Sequence, residues 1–266
     1  MGLPVLVVVV FLIAVLMTIA GRGGGNFYVL AQVFAGVSMH EAASTGQLIM
    51  CCTSLAALLI FQKNKTVSWK MALFIGLTAS LMAFVGGLLA HLFSGVVLRL
   101  VFASILVVAS LLMLLPVSEK PPRELSGSFW DRGFLRFEAN GAPIFLNLWL
   151  ATPFSLATGF VAGMVGISGG SFLLPLMVLA CRMPMNLAVG TASVTVAATA
   201  GMGFIGHVSQ GGVHWDWVLP QVGVAIVGGL IGGFFAVKTK PKVLKLVFAI
   251  TTLVAAALMF FGVCAG

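Results

Sequence analysis

A chain of 266 residues that is 61% hydrophobic and only 8% charged is not a water-soluble globule, whose apolar and charged shares are about 45–50% and about 25%. It reads as an integral membrane protein. The formal charge of +8 points to topology rather than to a nucleic-acid partner, because the cations gather in short stretches between apolar runs.

Leu3 to Ala20 is apolar except for Thr18, and a helix of that length rises about 27 Å, close to the hydrocarbon thickness. It leads straight into a glycine break, Gly21-Arg22-Gly23-Gly24-Gly25-Asn26-Phe27, so it reads as part of the fold and not as a leader. A short apolar arm follows from Asn26 to Val37, then longer runs at Ala42–Phe61, Met71–Phe93 and Val96–Val117. Ser118 to Asn140 holds Pro121-Pro122, mixed charges and Gly127, the composition of a linker. The second half repeats the plan with Ile144–Val165, the break Gly166-Ile167-Ser168-Gly169-Gly170-Ser171-Phe172, and runs at Phe172–Cys181, Leu187–Ile205, Trp217–Val237 and Val243–Val263. The expected division is a first membrane repeat over residues 1–117, a cytoplasmic linker over 118–142 and a second membrane repeat over 143–266.

The two halves are copies. At an offset of 145, three glycines and the phenylalanine of the breaks coincide; at 146, Trp69 falls on Trp215, Gly86-Gly87 on Gly232-Gly233, and Val97-Leu98-Arg99-Leu100-Val101-Phe102-Ala103 on Val243-Leu244-Lys245-Leu246-Val247-Phe248-Ala249. An offset held this long marks a duplication.

Loop cations mark the cytoplasmic side of a membrane protein. Lys63, Lys65 and Lys70 follow the third segment of the first half, whereas the matching stretch His207–Asp216 has none; Lys238, Lys240, Lys242 and Lys245 follow the fourth segment of the second half, where the first offers only His91 and Arg99. Equivalent loops are therefore expected on opposite sides, which requires an odd number of crossings per half. The expected fold is an all-α, polytopic membrane protein with two inverted repeats of about five helical segments each, the glycine break reversing the chain between the first two. Both termini then lie outside, and of the 14 lysines and arginines only Arg99 falls outside. Four segments per half would put Arg182 and the lysines of 238–245 on the wrong side.

Backbone that leaves a helix inside a bilayer must find partners in protein, water or ligand. Glycine lets it approach a bound group closely, and the helix restarting at Asn26 or Ser171 presents free N–H groups and a positive dipole end, which together suit an anion. The expected anion site comprises Arg22, Gly24, Gly25 and Asn26 from the first break, Ser168, Gly169, Gly170 and Ser171 from the second, and Thr45, Gln47, Thr191 and Ser193 from the helices that follow. The competing reading of the glycines is close helix packing; that of the threonines is capping or helix-to-helix hydrogen bonding. Arg22 reads equally as one more cytoplasmic loop cation, and Glu41 as the start of a helix at the outer surface rather than a proton carrier. His91, His207 and His214 read as outer loop residues, with no spacing suited to a metal, and Cys51, Cys52, Cys181 and Cys264 as small core residues. Neither break carries the lysine of a phosphate loop. No cofactor, metal or catalytic constellation is expected.

The breaks, Pro175 and the segment Ala188-Val189-Gly190-Thr191-Ala192-Ser193 resemble the TauE/SafE family of sulfite and organosulfonate exporters, and the resemblance covers nearly the whole chain. Leu30 stands where the first copy would have proline, Ser168 where the second would have glycine, and Ser44-Thr45-Gly46-Gln47 is a loose version of the threonine segment. The resemblance implies transport of sulfite, a short sulfonate or a similar small anion across a bacterial inner membrane. The partners so implied are that anion and the lipid bilayer; a homodimer and a coupling ion, proton or sodium, stay open. An anion channel and a membrane-embedded enzyme are the alternatives.

Overall fold

The computed structural model describes residues 2–21, 23–114, 134–139, 142–167, 169–209, 213–244, 246–247, 250, 253–254 and 257. The first half supplies α1 (Leu3–Ile19), α2 (Gly25–Phe34), α3 (Met39–Lys63), α4 (Trp69–Leu89) and α5 (Gly95–Leu114); the second supplies α6 (Leu148–Val165), α7 (Gly170–Pro175), α8 (Met185–Val208) and α9 (Trp215–Lys238). Residues 241–244 are helical again. Among the described residues five helices are long and apolar enough to cross a bilayer, namely α3, α4 with its extension to Leu92, α6, α8 and α9, and two shorter apolar arms stand beside them, Leu3–Ile19 and Gly170–Ala180. The protein is an all-α, polytopic membrane protein.

The helices are built for lipid. On α4, Leu73, Leu77 and Leu81 are each more than half exposed and lie one turn apart, so a stripe of large side chains faces outward. Its inner face holds Ala72, Gly76, Ala79, Ala83, Gly86 and Gly87. Against that face Gly159 and Gly163 of α6 come so near that an added Cβ would sit 2.1 and 2.0 Å from the carbonyl oxygens of Ala79 and Ala83. Leucine gains nothing by leaving a medium as apolar as itself, so close backbone packing of small residues drives association. Trp69, Trp149 and Trp215, at or near helix starts, are exposed, as interfacial anchors are.

Helices α3 and α8 are the most enclosed and cross in opposite directions: Cys51 lies by Gly201, and Gln47, a turn earlier, lies by Gly203, two residues further on. The duplicated glycines make duplicated contacts. Gly87 of α4 packs on Gly203 and Gly206 of α8, and Gly233 of α9 packs on Ala57 and Ile60 of α3, each participant being displaced by 146.

A hairpin was not expected from the sequence. Strands β1 (Phe134–Ala139) and β2 (Ala142–Asn147) pair antiparallel, from Phe134 opposite Asn147 to Ala139 opposite Ala142. The apolar run expected as helix from Ile144 therefore becomes helical only at Leu148, where the Asn147 side chain caps the amide of Trp149 at 3.0 Å. Ile144 and Leu146, alternate residues of β2, are buried in one cluster with Phe61, Met71 and Met183; a short apolar stretch does not reveal by its pattern whether it is strand or helix.

Candidate functional site

The first break uses three left-handed glycines, Gly21 (φ +74°), Gly23 (φ +64°) and Gly24 (φ +85°), the last being the N-cap of α2. The second needs one among its described residues, Gly166 (φ +79°). There the amides of Gly166 and Ile167 both return to the carbonyl of Ala162, at 3.0 and 3.1 Å, closing α6 with a glycine C-terminal motif. Gly169, the N-cap of α7, is right-handed. After Pro175 the second arm widens into a π-helical turn, Leu176–Ala180, because proline has no N–H to continue the ladder.

Each break rests on the start of the opposite repeat's enclosed helix. A Cβ on Gly21 would meet Val189 near the start of α8, and one on Gly166 would meet Ala43 near the start of α3. Gly23 faces Ser54 and Met50 of α3 together with Val196 of α8, and Gly169 faces Thr199 of α8. Helices α3 and α8 thus flank both breaks.

The expected site residues divide by position. Asn26 and Ser171, at the starts of α2 and α7, meet in the buried centre: Asn26 Nδ2 donates to Ser171 Oγ at 3.1 Å, across a separation of 145 residues. The repeat offset is also 145, so each residue meets its own counterpart. Gly25 and Gly170 precede them as the first residues of these helices, and Gly24 and Gly169 are the caps. Gln47 lies at the end of α6, donating from Nε2 to the carbonyls of Ala162 (3.2 Å) and Gly163 (3.1 Å), which it shares with the Gly166 and Ile167 amides and with His207. These bonds orient the amide, and its Oε1 is buried with no partner. Thr191 is engaged elsewhere, its hydroxyl donating to the Leu187 carbonyl (2.7 Å) and accepting from the Ser68 amide (3.0 Å). Ser193 donates to the Val189 carbonyl of its own helix at 3.3 Å. Arg22 and Ser168 lie outside the described residues.

Thr45 lines a different space. A cavity of about 710 Å³ opens between the start of α1, the end of α2 and the starts of α3 and α9, with Glu41, Thr45, Val37, His214, Trp215 and Trp217 in its wall. Glu41 sits in the first turn of α3 behind the Ser38 cap, and its carboxylate lies 3.7 Å from His214 Nε2, both exposed. His207 corrects the sequence reading: it is in the last turn of α8, buried, with Nε2 2.8 Å from the carbonyl of Gly163. That neighbour makes Nε2 the protonated nitrogen. Among the described residues no three His, Cys, Asp or Glu gather as a metal site would require.

Sequence reasoning missed two sets of polar residues. Ser54, on α3 seven residues after Gln47 and so on the same face, places a buried hydroxyl without a partner beside Gly23; the spacing was the available signal. Gln32, Gln221 and Trp217 form a ring: Trp217 Nε1 donates to Gln32 Oε1 (2.9 Å), Gln32 Nε2 to Gln221 Oε1, and Gln221 Nε2 to the Trp217 carbonyl (2.8 Å). Both glutamines are fully buried. The ring ties α2 to α9 beneath the cavity.

A sequence profile described as sulfite exporter TauE/SafE matches residues 6–259. The chain belongs to the TauE/SafE family. Within reach of this TauE/SafE protein are the probable membrane transporter protein YunE of Bacillus subtilis, 25% identical over 99% of both chains, and a probable membrane transporter protein of Xylella fastidiosa, 24% identical over 81% of this chain and 78% of that one. The probable membrane transporter protein MJ0441 of Methanocaldococcus jannaschii is 23% identical over 84% and 79%. No solved structure matches. Family and helices together make this TauE/SafE chain a multi-pass membrane protein of a transporter family.

Proposed function

We propose that this protein is a secondary transporter of a small sulfur oxyanion, sulfite or a short organosulfonate, across the inner membrane, and that it holds the anion at the two glycine breaks. The observation that carries this reading is the contact of Asn26 with Ser171, which brings the starts of α2 and α7 to one buried point. Each helix start presents about half a positive charge, worth roughly 0.3–2 kcal/mol to an anion according to burial. Neither break contains an acidic residue. The amide of Asn26 and the hydroxyl of Ser171 are donors of the kind an oxyanion accepts from, and binding would exchange their mutual bond for bonds to the ligand. Affinity should therefore follow charge. In calorimetric titration of detergent-purified protein, sulfite or a short sulfonate is expected to bind more tightly than a neutral sulfone of similar size, and Arg22→Gln to weaken binding without reversing that order. Equal binding of charged and neutral ligands would exclude the site.

The opposed crossing of α3 and α8 and the exchanged glycine contacts support two repeats of opposite orientation, residues 1–117 and 143–266 joined by a cytoplasmic linker, with both termini outside. The lysine-bearing loop around Asn64 then faces the cytoplasm, and the stretch around Ser209 faces outward. Both positions are exposed. A cysteine at Ser209 should react with an impermeant reagent added to whole cells, and one at Asn64 only after the membrane is opened. Labelling of both from one side would sink the arrangement.

A further inference from the structure

Equivalent helix starts of the two repeats border an open cavity on one face of the molecule and lie under a loop on the other. Glu41 and Thr45 line the 710 Å³ cavity. Their counterparts at the offset of 146 are Leu187 and Thr191: the Glu41 side chain is 38% exposed against 4% for Leu187, while Thr45 and Thr191 are both buried. What covers Leu187 and Thr191 is the loop of residues 64–68. Its Ser68 amide donates to the Thr191 hydroxyl at 3.0 Å, its Val67 packs into the cluster that contains Leu187 and Ala188, and its Thr66 carbonyl lies so near Gly190 that an added Cβ would be 2.1 Å away.

We propose that loop 64–68 is a gate, closing the lysine-bearing face of the protein over the counterpart of the open cavity and lifting off the start of α8 during transport. The inference rests on the transporter reading but not on the identity of the substrate. The loop is suited to reversible opening. Thr66 ties it to the last turn of α3, its amide and hydroxyl both donating to the carbonyl of Phe61 at 3.0 Å, so it moves together with the end of that helix. The Ser68 amide bonds it to α8, and water can replace that bond on both partners once the loop lifts. Lys65 lies in the gate and Lys63 and Lys70 flank it, so the face it closes is cationic.

The test uses the full-length protein in detergent, with Cys51, Cys52, Cys181 and Cys264 replaced by alanine and one reporter cysteine introduced at either Glu41 or Leu187. A polar maleimide should modify Glu41→Cys readily and Leu187→Cys about tenfold or more slowly, since an opening that costs a few kcal/mol is only sparsely populated. Gly190→Ala, which pushes on the Thr66 carbonyl, and Thr191→Val, which keeps the shape but deletes the acceptor, should each raise the Leu187→Cys rate several-fold and leave the Glu41→Cys rate unchanged. Using both variants keeps the test alive if one does not fold. The gate is overturned if Leu187→Cys reacts as fast as Glu41→Cys, or if the folded variants leave its rate where it was. No sulfite enters these measurements, so a wrong substrate assignment would surface in the titration and not here.

Discussion

The two short arms that follow the glycine breaks share a plan and are fastened in opposite ways. Arm α2 is held to α9 by the amide ring of Gln32, Gln221 and Trp217. The residues at the matching positions of the other arm and its neighbour α4 are Met177, Ile75 and Met71, all fully buried in one apolar cluster. Hydrogen bonds between amides fix one distance and one direction, whereas methionine and isoleucine grip without either. The polar fastening lies under the open cavity, and the apolar one belongs to the cluster that takes in Val67 of the covering loop. The breaks differ in the same sense, with three left-handed glycines in the first and one among the described residues of the second. A duplicated backbone therefore needs no duplicated chemistry, and the first arm is the more rigidly specified.

The largest effect should come from the caps. Gly24→Ala places a side chain at φ +85° and 2.8 Å from the ring of Tyr28, which is fully buried and bonded to Thr53 at 3.1 Å and so cannot swing away. A left-handed alanine costs roughly 1–2 kcal/mol and overpacking roughly 1–3, so a loss of about 3 kcal/mol is expected. Gly169→Ala keeps an allowed backbone and meets the Thr199 side chain, its hydroxyl at 2.9 Å and its methyl at 3.3 Å, for about 1 kcal/mol. Thermal unfolding in detergent compares the two; equal losses would mean that the breaks are equally constrained.

The fastenings come next. Gln221→Leu leaves the Gln32 amide without its acceptor in a site where both glutamines were fully buried, at a cost of about 2 kcal/mol. Transplanting the other arm's chemistry as Gln32→Met with Gln221→Ile removes both amides at once, leaving the Trp217 Nε1–H, which borders the cavity, to turn to water, and should be less harmful than Gln221→Leu alone, because replacing a whole buried pair by apolar groups approaches neutrality. A double variant worse than the single one would show that the ring is needed for more than its own satisfaction.

How much of this was visible beforehand follows from the solvent. Lipid demands long apolar runs, so the helical segments, the two breaks and the copy offset could be read directly from residues such as Gly21 and Gly166. Ile144 and Leu146 read as helix because the three apolar residues Ile144, Phe145 and Leu146 show no period that excludes one. Thr191 was paired with Thr45 by sequence, and its partner Ser68 is 123 positions away, a distance no local pattern spans. Gln32 and Gln221, separated by 189 positions, each look like an isolated polar residue in an apolar run. Only folding shows that each answers the other. His207 looked like a loop residue because the apolar run ends at Ile205, yet the helix continues to Val208, and the α6 carbonyl it meets belongs to the other side of the contact.

The smallest effect is the most specific to the relation between the arms. Asn26 and Ser171 occupy matching positions and bond to each other, so exchanging them tests whether the two starts are interchangeable. Asn26→Ser alone leaves two short hydroxyls that no longer span the gap, and Ser171→Asn alone crowds two amides into a fully buried place; each should cost about 1 kcal/mol. The exchange Asn26→Ser with Ser171→Asn restores one amide and one hydroxyl across the same point. If the starts of α2 and α7 are alike there, the double variant should unfold within about 0.5 kcal/mol of the parent, a coupling well outside simple addition for residues in contact. A double variant that loses the sum of the singles would show that the three left-handed glycines of the first break aim Asn26 in a way the second break cannot reproduce, and the likeness of the arms would then stop short of their tips.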